Sequence, residues 1–184
     1  MTTKIMAVYC GHNTGNNPNY ARDAEKLGEL MAENKITLVF GGGSVGLMGT
    51  VALAVQKHGG AIVSVSTPNV VALQEPVLEG VETELKDNIL ERKARMIELA
   101  NAYCILPGGI GTLNELTDIL TMHQVKEMYR PVYFLNTDGY WNGFGTLLKR
   151  MIRAGFVKHQ TEYNMQVFQT PEEIINAYNA RFFA

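Results

Sequence analysis

The chain alternates short apolar runs with segments whose apolar residues recur at helical spacing. Five of the runs are rich in β-branched residues and apolar at nearly every position: 5–10, 36–40, 61–66, 102–106 and 131–136. A strand that is apolar on both faces is typical of a parallel sheet with helices on both sides. The pattern therefore predicts an α/β fold with a parallel sheet flanked by helices on both faces.

The helical segments have recognisable start and stop signals. Asn17 followed by Pro18 is a good N-cap and first residue for a helix that reaches about Asn34, and another helix is expected after Pro171. The remaining predicted helices span residues 48–58, 88–101, 112–125 and 141–154. Residues 165–169 are expected to form an edge strand. The longest irregular stretch, residues 67–80, is a candidate lid.

Composition adds limits to this picture. With 184 residues, 46% of them hydrophobic and 18% charged, the chain is predicted to form a single domain over residues 1–184 with its own core. A net charge of −2 gives no basic surface for nucleic acid, so no nucleic-acid partner is expected. Any anion must be bound by a local site.

Cysteine usage and the apolar runs also indicate a compartment. Cys10 and Cys104 both lie at or inside predicted buried strands, which favours reduced structural thiols and a cytoplasmic protein. The first apolar run is too short for a signal peptide. No run approaches the ~18 apolar residues of a membrane span, so no membrane partner is expected.

A first glycine-rich loop follows the second predicted strand. Gly41, Gly43 and Gly46 satisfy the G-x-G-x-x-G spacing of dinucleotide folds, yet residues 67–80 after the next strand lack Lys and Arg, and the strand there ends in Ser66-Thr67. Two interpretations stay open: the glycines only permit a tight turn, or Gly43 and Gly46 contact a phosphate or ribose. No glycine cluster continues into the Gly-Lys-Ser/Thr of a Walker A motif.

A second glycine-rich segment, residues 107–115, follows the fourth apolar run and reads Pro-Gly-Gly-Ile-Gly-Thr-Leu-Asn-Glu. Glycines ahead of a helix let backbone N–H groups face a phosphate, and Glu115 places a carboxylate one turn further along. Thr112 and Glu115 also have the spacing of a capping box, with Thr112 as N-cap. Glu115 is therefore either a cap or a catalytic carboxylate.

Arg92 and Lys93 lie upstream of this segment, and both belong to the predicted helix 88–101. They point about 100° apart, so the two cations can reach different groups. The alternative is that 91–95 is a solvated helix face. Met96 lies four residues after Arg92 and indicates that this face is partly covered. An Arg stem lying on Met96 with its guanidinium turned to a carboxylate or phosphate fits the pattern.

The combination of Arg92-Lys93-x-x-Met96 with Pro107-Gly108-Gly109-x-Gly111-Thr112-x-x-Glu115 closely resembles the Lonely Guy (LOG) family of cytokinin riboside 5'-monophosphate phosphoribohydrolases, formerly labelled lysine decarboxylases. The resemblance covers nearly the whole chain. It implies a Rossmann-like single domain, a cytoplasmic homodimer and an AMP-binding hydrolase. This enzyme would cleave the N-glycosidic bond of adenine nucleotides, including cytokinin precursors, to free base and ribose 5-phosphate.

By motif match, the family's catalytic residues fall on Arg92 and Glu115. The resemblance and the glycine pattern together give these candidate substrate-binding residues: Glu75, Lys93, Met96, Gly43, Gly46, Gly108, Gly109, Ile110, Gly111, Thr112 and Thr121. The proton donor to the leaving base stays open between Asp87, Glu75 and water. No metal and no cofactor are expected, because the four histidines lack ligand spacing and no lysine has a setting that supports pyridoxal phosphate.

Two departures from the family pattern bear on the substrate. His12-Asn13 replaces Ser-Ser after Cys10-Gly11, and Ile89-Leu90 replaces Met-His before Glu91. The competing interpretation is a non-catalytic nucleotide-binding or cofactor-carrier protein of similar fold, such as the molybdenum cofactor carriers. Such a protein would use the same glycine turns without turnover.

Overall fold

The computed structural model describes residues 3–74, 77–159 and 163–182, and within them seven parallel strands form one sheet. The strands are β1 Ile5–Tyr9, β2 Thr37–Phe40, β3 Ile62–Ser66, β4 Thr83–Leu85, β5 Ala102–Ile105, β6 Val132–Leu135 and β7 Met165–Phe168. Their order in the sheet is β4-β3-β2-β1-β5-β6-β7. The predicted α/β class and the parallel sheet are confirmed.

The helices that connect the strands are α1 Pro18–Glu33, α2 Gly46–Lys57, α3 Pro68–Gln74, α4 Ile89–Leu99, α5 Ile110–Gln124 and α6 Asn142–Arg153, and α7 Pro171–Ala180 follows the last strand. The predicted start of α1 is confirmed, since the Asn17 side chain accepts a hydrogen bond from the Asn19 N–H with Pro18 as first residue. Among these helices, none combines the length and hydropathy that a membrane span requires.

The strand alternation divides the core into two layers. Met6 and Val8 of β1 pack with residues of α1, α2 and α7, whereas Ala7 and Tyr9 pack with residues of α4, α5 and α6. Successive side chains of a strand point to opposite faces, so a sheet with helices on both sides buries every position of its central strands. The expectation of helices on both faces is confirmed.

The chain reverses its direction across the sheet between β1 and β5. From β1 it winds outward through β2 and β3 to β4, and α4 then carries it back so that β5 lies on the other side of β1. The loops after β1 and β5 meet there, where the Gly11 N–H donates to the Pro107 carbonyl at 3.0 Å. In open α/β sheets, ligands bind at such a switch point, outside the carboxyl ends of the strands.

Two elements differ from the sequence prediction. Strand β4 was not predicted; it is a three-residue edge strand that pairs with β3, and its Thr83 hydroxyl lies 2.8 Å from that of Ser64. The stretch predicted to be irregular contains helix α3, whose first turn is supported by the Thr67 hydroxyl accepting from the Val70 N–H. Residues 75–76 lie outside the described part of the chain.

Candidate active site

A cavity of about 510 Å³ opens at the switch point. One wall is the loop after β1, a second is the turn that leads from β5 into α5, and residues of α4 and α5 form a third. Tyr20 and Tyr140 line the remaining side. The cavity therefore lies where the topology alone places a ligand site.

Arg92 and Glu115 meet inside this cavity. The Arg92 Nη1 donates to Glu115 Oε1 at 3.2 Å, and their side chains are only 7% and 12% exposed. The two residues are 23 positions apart and come from different helices, α4 and α5. The expected proximity of this pair is confirmed, and the solvated-face interpretation of residue 92 is wrong because its side chain is buried.

Local structure on α4 and β3 fixes the Arg92 guanidinium. Asn88 caps α4 by accepting from the N–H groups of Leu90 and Glu91, which puts Arg92 one turn into the helix on its inward face. The Arg92 Nε donates to the Val65 carbonyl at 3.1 Å. A Cβ on Gly41 would lie 1.9 Å from Arg92 Nη2, so the guanidinium keeps this position only because residue 41 is glycine.

Burial changes the acidity of Glu115. It raises the pKa of this carboxyl to about 7, since the charged form loses its water; the nearby Arg92 guanidinium acts in the opposite direction and favours the carboxylate. A carboxyl group with a pKa near neutrality can exchange a proton with water or a substrate at physiological pH. The arrangement thus has the properties of a general base.

Lys93 follows Arg92 on α4, and its side chain bonds to two residues of α5. Its Nζ donates to Asn114 Oδ1 at 2.8 Å and forms an ion pair with Asp118 Oδ2 at 2.5 Å. Lys93, Asn114 and Glu115 all line the cavity. A ligand anion at Lys93 must therefore compete with Asp118 for the ammonium group.

The turn into α5 differs from the predicted capping box. Helix α5 starts at Ile110 with Gly109 as N-cap, and no side chain caps it. The expectation that Thr112 is the N-cap is wrong because the helix begins two residues earlier, and Glu115 bonds to Arg92 instead of folding back onto the helix start. The first N–H groups of α5 are thus left for another partner at the cavity.

The glycines of this turn have two different tasks. Gly108 is required by packing, since a Cβ there would lie 2.1 Å from the Thr112 Oγ1 and 2.9 Å from the Gly11 N. Gly109 and Gly111 are exposed, and a Cβ at either position would meet nothing within 4 Å. Together with Ile110 and Thr112 they line the cavity, as the sequence led us to expect.

The glycines of the first glycine-rich loop are packed against the protein itself. Gly43 and Gly46 lie outside the cavity lining, and a Cβ on Gly46 would lie 2.0 Å from the His12 carbonyl oxygen. The N–H groups of Leu47 and Met48, at the start of α2, already donate to the Gly11 carbonyl. The structure therefore favours the tight-turn interpretation over a phosphate or ribose contact by Gly43 and Gly46.

Three other candidates are not brought to the cavity. Met96 is 1% exposed and belongs to the core beneath α4, so it supports Arg92 from below the cavity. Thr121 is exposed on α5, where its hydroxyl donates to the Thr117 carbonyl. Asp87 is exposed and does not line the cavity. Glu75 lies outside the described residues.

Sequence reasoning missed several residues that line the cavity, and it missed Asp118, which pairs with Lys93 of the cavity wall. Asn114 and Asp118 are four residues apart on α5, a spacing that places both on the face toward Lys93 and could have revealed them. Tyr20 left no comparable signal. The family resemblance extends through residues 136–140 and so includes Tyr140, but it gave this residue no role, because its place at the cavity depends on the tertiary fold.

Cys10 lines the cavity, but its thiol is too weakly acidic to act as a nucleophile. Burial, followed by the nearby Glu115 carboxylate, raises the pKa of the Cys10 thiol well above its usual value. Within residues 3–74, 77–159 and 163–182, no group of three or more His, Cys, Asp or Glu side chains is placed to hold a metal ion.

Comparison with known proteins gives the family. Residues 48–178 match a family model described as "Possible lysine decarboxylase". The cytokinin riboside 5'-monophosphate phosphoribohydrolase LOG7 of Arabidopsis thaliana is 40% identical over 155 residues, which are 84% of this chain and 71% of LOG7. The probable phosphoribohydrolase LOGL5 of Oryza sativa subsp. japonica is 39% identical over 83% of this chain, which spans 62% of LOGL5.

A solved structure of similar fold is the molybdenum cofactor binding protein from Rippkaea orientalis. It has a TM-score of 0.71 and covers 99% of both chains at 21% identity, a likeness that shows the fold alone. The relatives and the family model are far more specific, because they cover most of the chain at higher identity. On that basis this chain belongs to the LOG family of cytokinin riboside 5'-monophosphate phosphoribohydrolases.

Proposed function

We propose that this protein hydrolyses the N-glycosidic bond of adenosine 5'-monophosphates, including N6-modified ones, and releases the free base and ribose 5-phosphate. The observation that carries the proposal is the buried Arg92–Glu115 pair in the same cavity as the uncapped start of α5. The names of the relatives, which are phosphoribohydrolases of cytokinin nucleotides, support the same reaction.

The substrate phosphate sits at the start of α5 in this proposal. The first four N–H groups of a helix have no intrahelical partner, and the helix dipole favours an anion there. Gly109 and Gly111 have open space where a side chain would otherwise stand, so a phosphate can approach the backbone closely. Lys93 also lines the cavity and can supply a positive charge to the phosphate.

Glu115 is the catalytic carboxylate. Cleavage of the C1'–N9 bond sends its electron pair to the base nitrogen and leaves oxocarbenium character on the ribose, which a nearby carboxylate stabilises. A water then bonds to C1' and passes its proton to Glu115, whose pKa of about 7 suits a general base. The base takes up one proton overall, which water supplies unless Glu75 does so.

Arg92 is the partner that holds Glu115 in place. Its guanidinium bonds both the Val65 carbonyl and Glu115, so the carboxylate is fixed in orientation before substrate binds. The same guanidinium can also bond a ribose hydroxyl or a phosphate oxygen. Arg92 does not act as a proton donor, because its guanidinium stays charged in proteins.

The departures from the family pattern lie where they can affect substrate choice. His12, Asn13 and Ile89 all line the cavity. Their replacement of serine and methionine changes both hydrogen bonding and volume around the ligand. We therefore expect the preferred base or N6 substituent of this protein to depend on these three residues.

We further propose that the protein acts as a homodimer in the cytoplasm. A groove between α4 and α5 has Leu90, Ala94, Ile97 and Met122 among its lining residues, and Leu90 is 68% exposed. Charged residues also line it: Lys93, Glu98, Asp118, Glu127 and Arg130. Thr121 borders this groove, so a substrate contact by Thr121 would have to be made to the second copy's ligand. Light scattering checks the dimer, and the free, buried Cys10 and Cys104 fit a reducing compartment.

The decisive experiment measures free base by liquid chromatography from a panel of nucleoside 5'-monophosphates. The unaltered protein should release adenine or an N6-modified adenine, and Glu115→Gln should lower kcat about 100-fold or more because the carboxylate charge is lost. Glu25→Gln, on the exposed face of α1 and outside both the cavity and the groove between α4 and α5, is the matched control and should keep full activity.

Two results would contradict the proposal. Full activity of Glu115→Gln would show that Glu115 is not the catalytic carboxylate. A protein that binds AMP yet releases no base from any monophosphate would instead be the non-catalytic nucleotide-binding or carrier protein that the fold also allows.

A further inference from the structure

We propose that Tyr140 is a positioning residue that fixes the peptide between Gly108 and Gly109 and so directs the Gly109 N–H toward the substrate phosphate. The Tyr140 hydroxyl donates to the Gly108 carbonyl at 2.5 Å, and the ring lines the cavity. The inference rests on the proposed function in one respect, namely that the start of α5 is where the phosphate binds.

The peptide between Gly108 and Gly109 needs an external constraint. Packing requires glycine at 108, since any Cβ there would meet Thr112 and Gly11, and residue 109 is also glycine. Without a Cβ on either side, rotation of the whole peptide unit meets little steric resistance. The two adjacent glycines therefore allow this peptide to flip unless another group holds it.

The orientation of that peptide decides whether the turn attracts or repels an anion. In a trans peptide the C=O and the following N–H point in opposite directions, so a carbonyl held by Tyr140 directs the Gly109 N–H away from Tyr140. A flipped peptide would place the Gly108 carbonyl oxygen where the N–H had been. The hydrogen bond from Tyr140 thus holds one of the two orientations, and in this proposal that orientation leaves the Gly109 N–H for the phosphate.

The turn that carries Tyr140 is itself anchored to α1. Asp138 and Gly139 both have positive φ, 51° and 77°, so the backbone reverses sharply after β6. The Asp138 carboxylate accepts from the side-chain amides of Asn17 and Asn19 at 2.7 Å each, and these bonds lower its pKa. The start of α1 therefore sets where Tyr140 enters the cavity.

The Tyr140 ring is held independently of its hydroxyl. Tyr20 of α1 lies edge-on to it with ring centroids 5.6 Å apart, and Trp141 does the same from the other side at 5.1 Å. Phenylalanine at 140 would keep these contacts. Tyr140→Phe is thus a variant that removes the hydrogen bond to Gly108 and leaves the ring in place.

The test compares the binding of AMP with the binding of adenosine by titration calorimetry. In Tyr140→Phe we expect the Kd of AMP to rise three- to tenfold and the Kd of adenosine to change less than twofold, because only AMP carries the phosphate. In turnover assays KM for AMP should rise by a similar factor with kcat within twofold. Tyr129→Phe, outside the cavity lining, is the matched control and should change neither.

Two outcomes would overturn the inference: unchanged Kd values for both ligands, or an equal loss for AMP and adenosine, which would mean that Tyr140 only supports the cavity wall. The test does not need turnover. A parent protein that binds AMP without releasing adenine refutes the hydrolase and leaves the Tyr140 inference open to the same measurement. A parent that hydrolyses AMP, with an unchanged binding ratio in Tyr140→Phe, refutes Tyr140 alone.

Discussion

The glycine-rich turn after β2 and the one after β5 have similar sequences and different surroundings. Around the first, a Cβ on Gly41 would lie 1.9 Å from Arg92 Nη2, and a Cβ on Gly46 would lie 2.0 Å from the His12 carbonyl oxygen. Around the second, Gly109 and Gly111 are exposed and have nothing within 4 Å of a Cβ. One turn is filled by the protein itself, and the other is open to the cavity.

The difference teaches what a glycine pattern does and does not indicate. Glycine is needed wherever a backbone must be approached closely, and the approaching group can be either a ligand or another part of the chain. The G-x-G-x-x-G spacing after β2 serves the second purpose, since Arg92 and the loop after β1 occupy the space. The turn after β5 serves both, with Gly108 packed and its neighbours open.

Gly46→Ala should have the largest effect, and it should act on stability. Gly46 has a φ of +63°, which costs any other residue roughly 1–2 kcal/mol, and the new Cβ would clash with a backbone carbonyl that cannot move independently. We expect the free energy of unfolding to fall by about 3 kcal/mol, measured by urea denaturation.

Gly111→Ala is the matched variant in the open turn. It lies in the first turn of α5 with free space around it, so the free energy of unfolding should stay the same or rise by up to about 1 kcal/mol. Equal destabilisation by the two variants would break the distinction between a filled and an open turn.

Gly41→Ala should act on activity more than on stability. The group that the new Cβ meets is the end of a flexible side chain, so the Arg92 guanidinium moves and its bond to Glu115 is lost. We expect kcat/KM for AMP to fall about 100-fold while urea denaturation shows a much smaller loss than for Gly46→Ala.

The control for Gly41→Ala is again Gly111→Ala, which leaves the Arg92–Glu115 pair untouched. The added methyl group stands where the phosphate approaches the backbone, so KM for AMP should rise and kcat should stay close to that of the parent. If Gly41→Ala changed KM alone, Gly41 would itself belong to the phosphate site and the comparison would be wrong.

Much of the fold could be predicted from the sequence because its central strands are buried on both faces. Such strands leave continuous apolar runs, and the predicted runs at 5–10, 36–40 and 102–106 differ from β1, β2 and β5 by one residue at an end. Strand β4 was missed for the opposite reason. It is three residues long, and its Glu84 pairs with Lys86 and Arg95 on the surface, so the strand rests on backbone pairing that side-chain patterns do not report.

Only the parts of the site that belong to short sequence motifs could be predicted. Arg92, Lys93, Glu115 and the turn into α5 could be found from spacing and resemblance, and the structure brings them to one cavity. The start of α5 was misplaced by two residues, because Thr112 fits a capping box in sequence while the helix already begins at Ile110. The role of Tyr140 could not be found, since its contact with Gly108 depends on how the turn after β6 crosses the sheet edge.

The smallest effect that we expect from the difference between the two turns is on the pH dependence of activity. With the pKa of Glu115 raised to about 7 by burial, the catalytic carboxylate is mostly ionised at pH 8 and half protonated near pH 7, so kcat/KM should fall about twofold over that interval. The Arg92 guanidinium lowers this pKa, and displacing it in Gly41→Ala should move the acid limb of the profile to higher pH.

The control is Gly111→Ala, which leaves Arg92 in place and should keep the pH midpoint of kcat/KM found for the parent protein. Titration of the substrate phosphate is common to all three proteins and cancels in the comparison. A midpoint that moved equally in both variants, or in neither, would mean that Gly41 does not control the position of Arg92 beside Glu115.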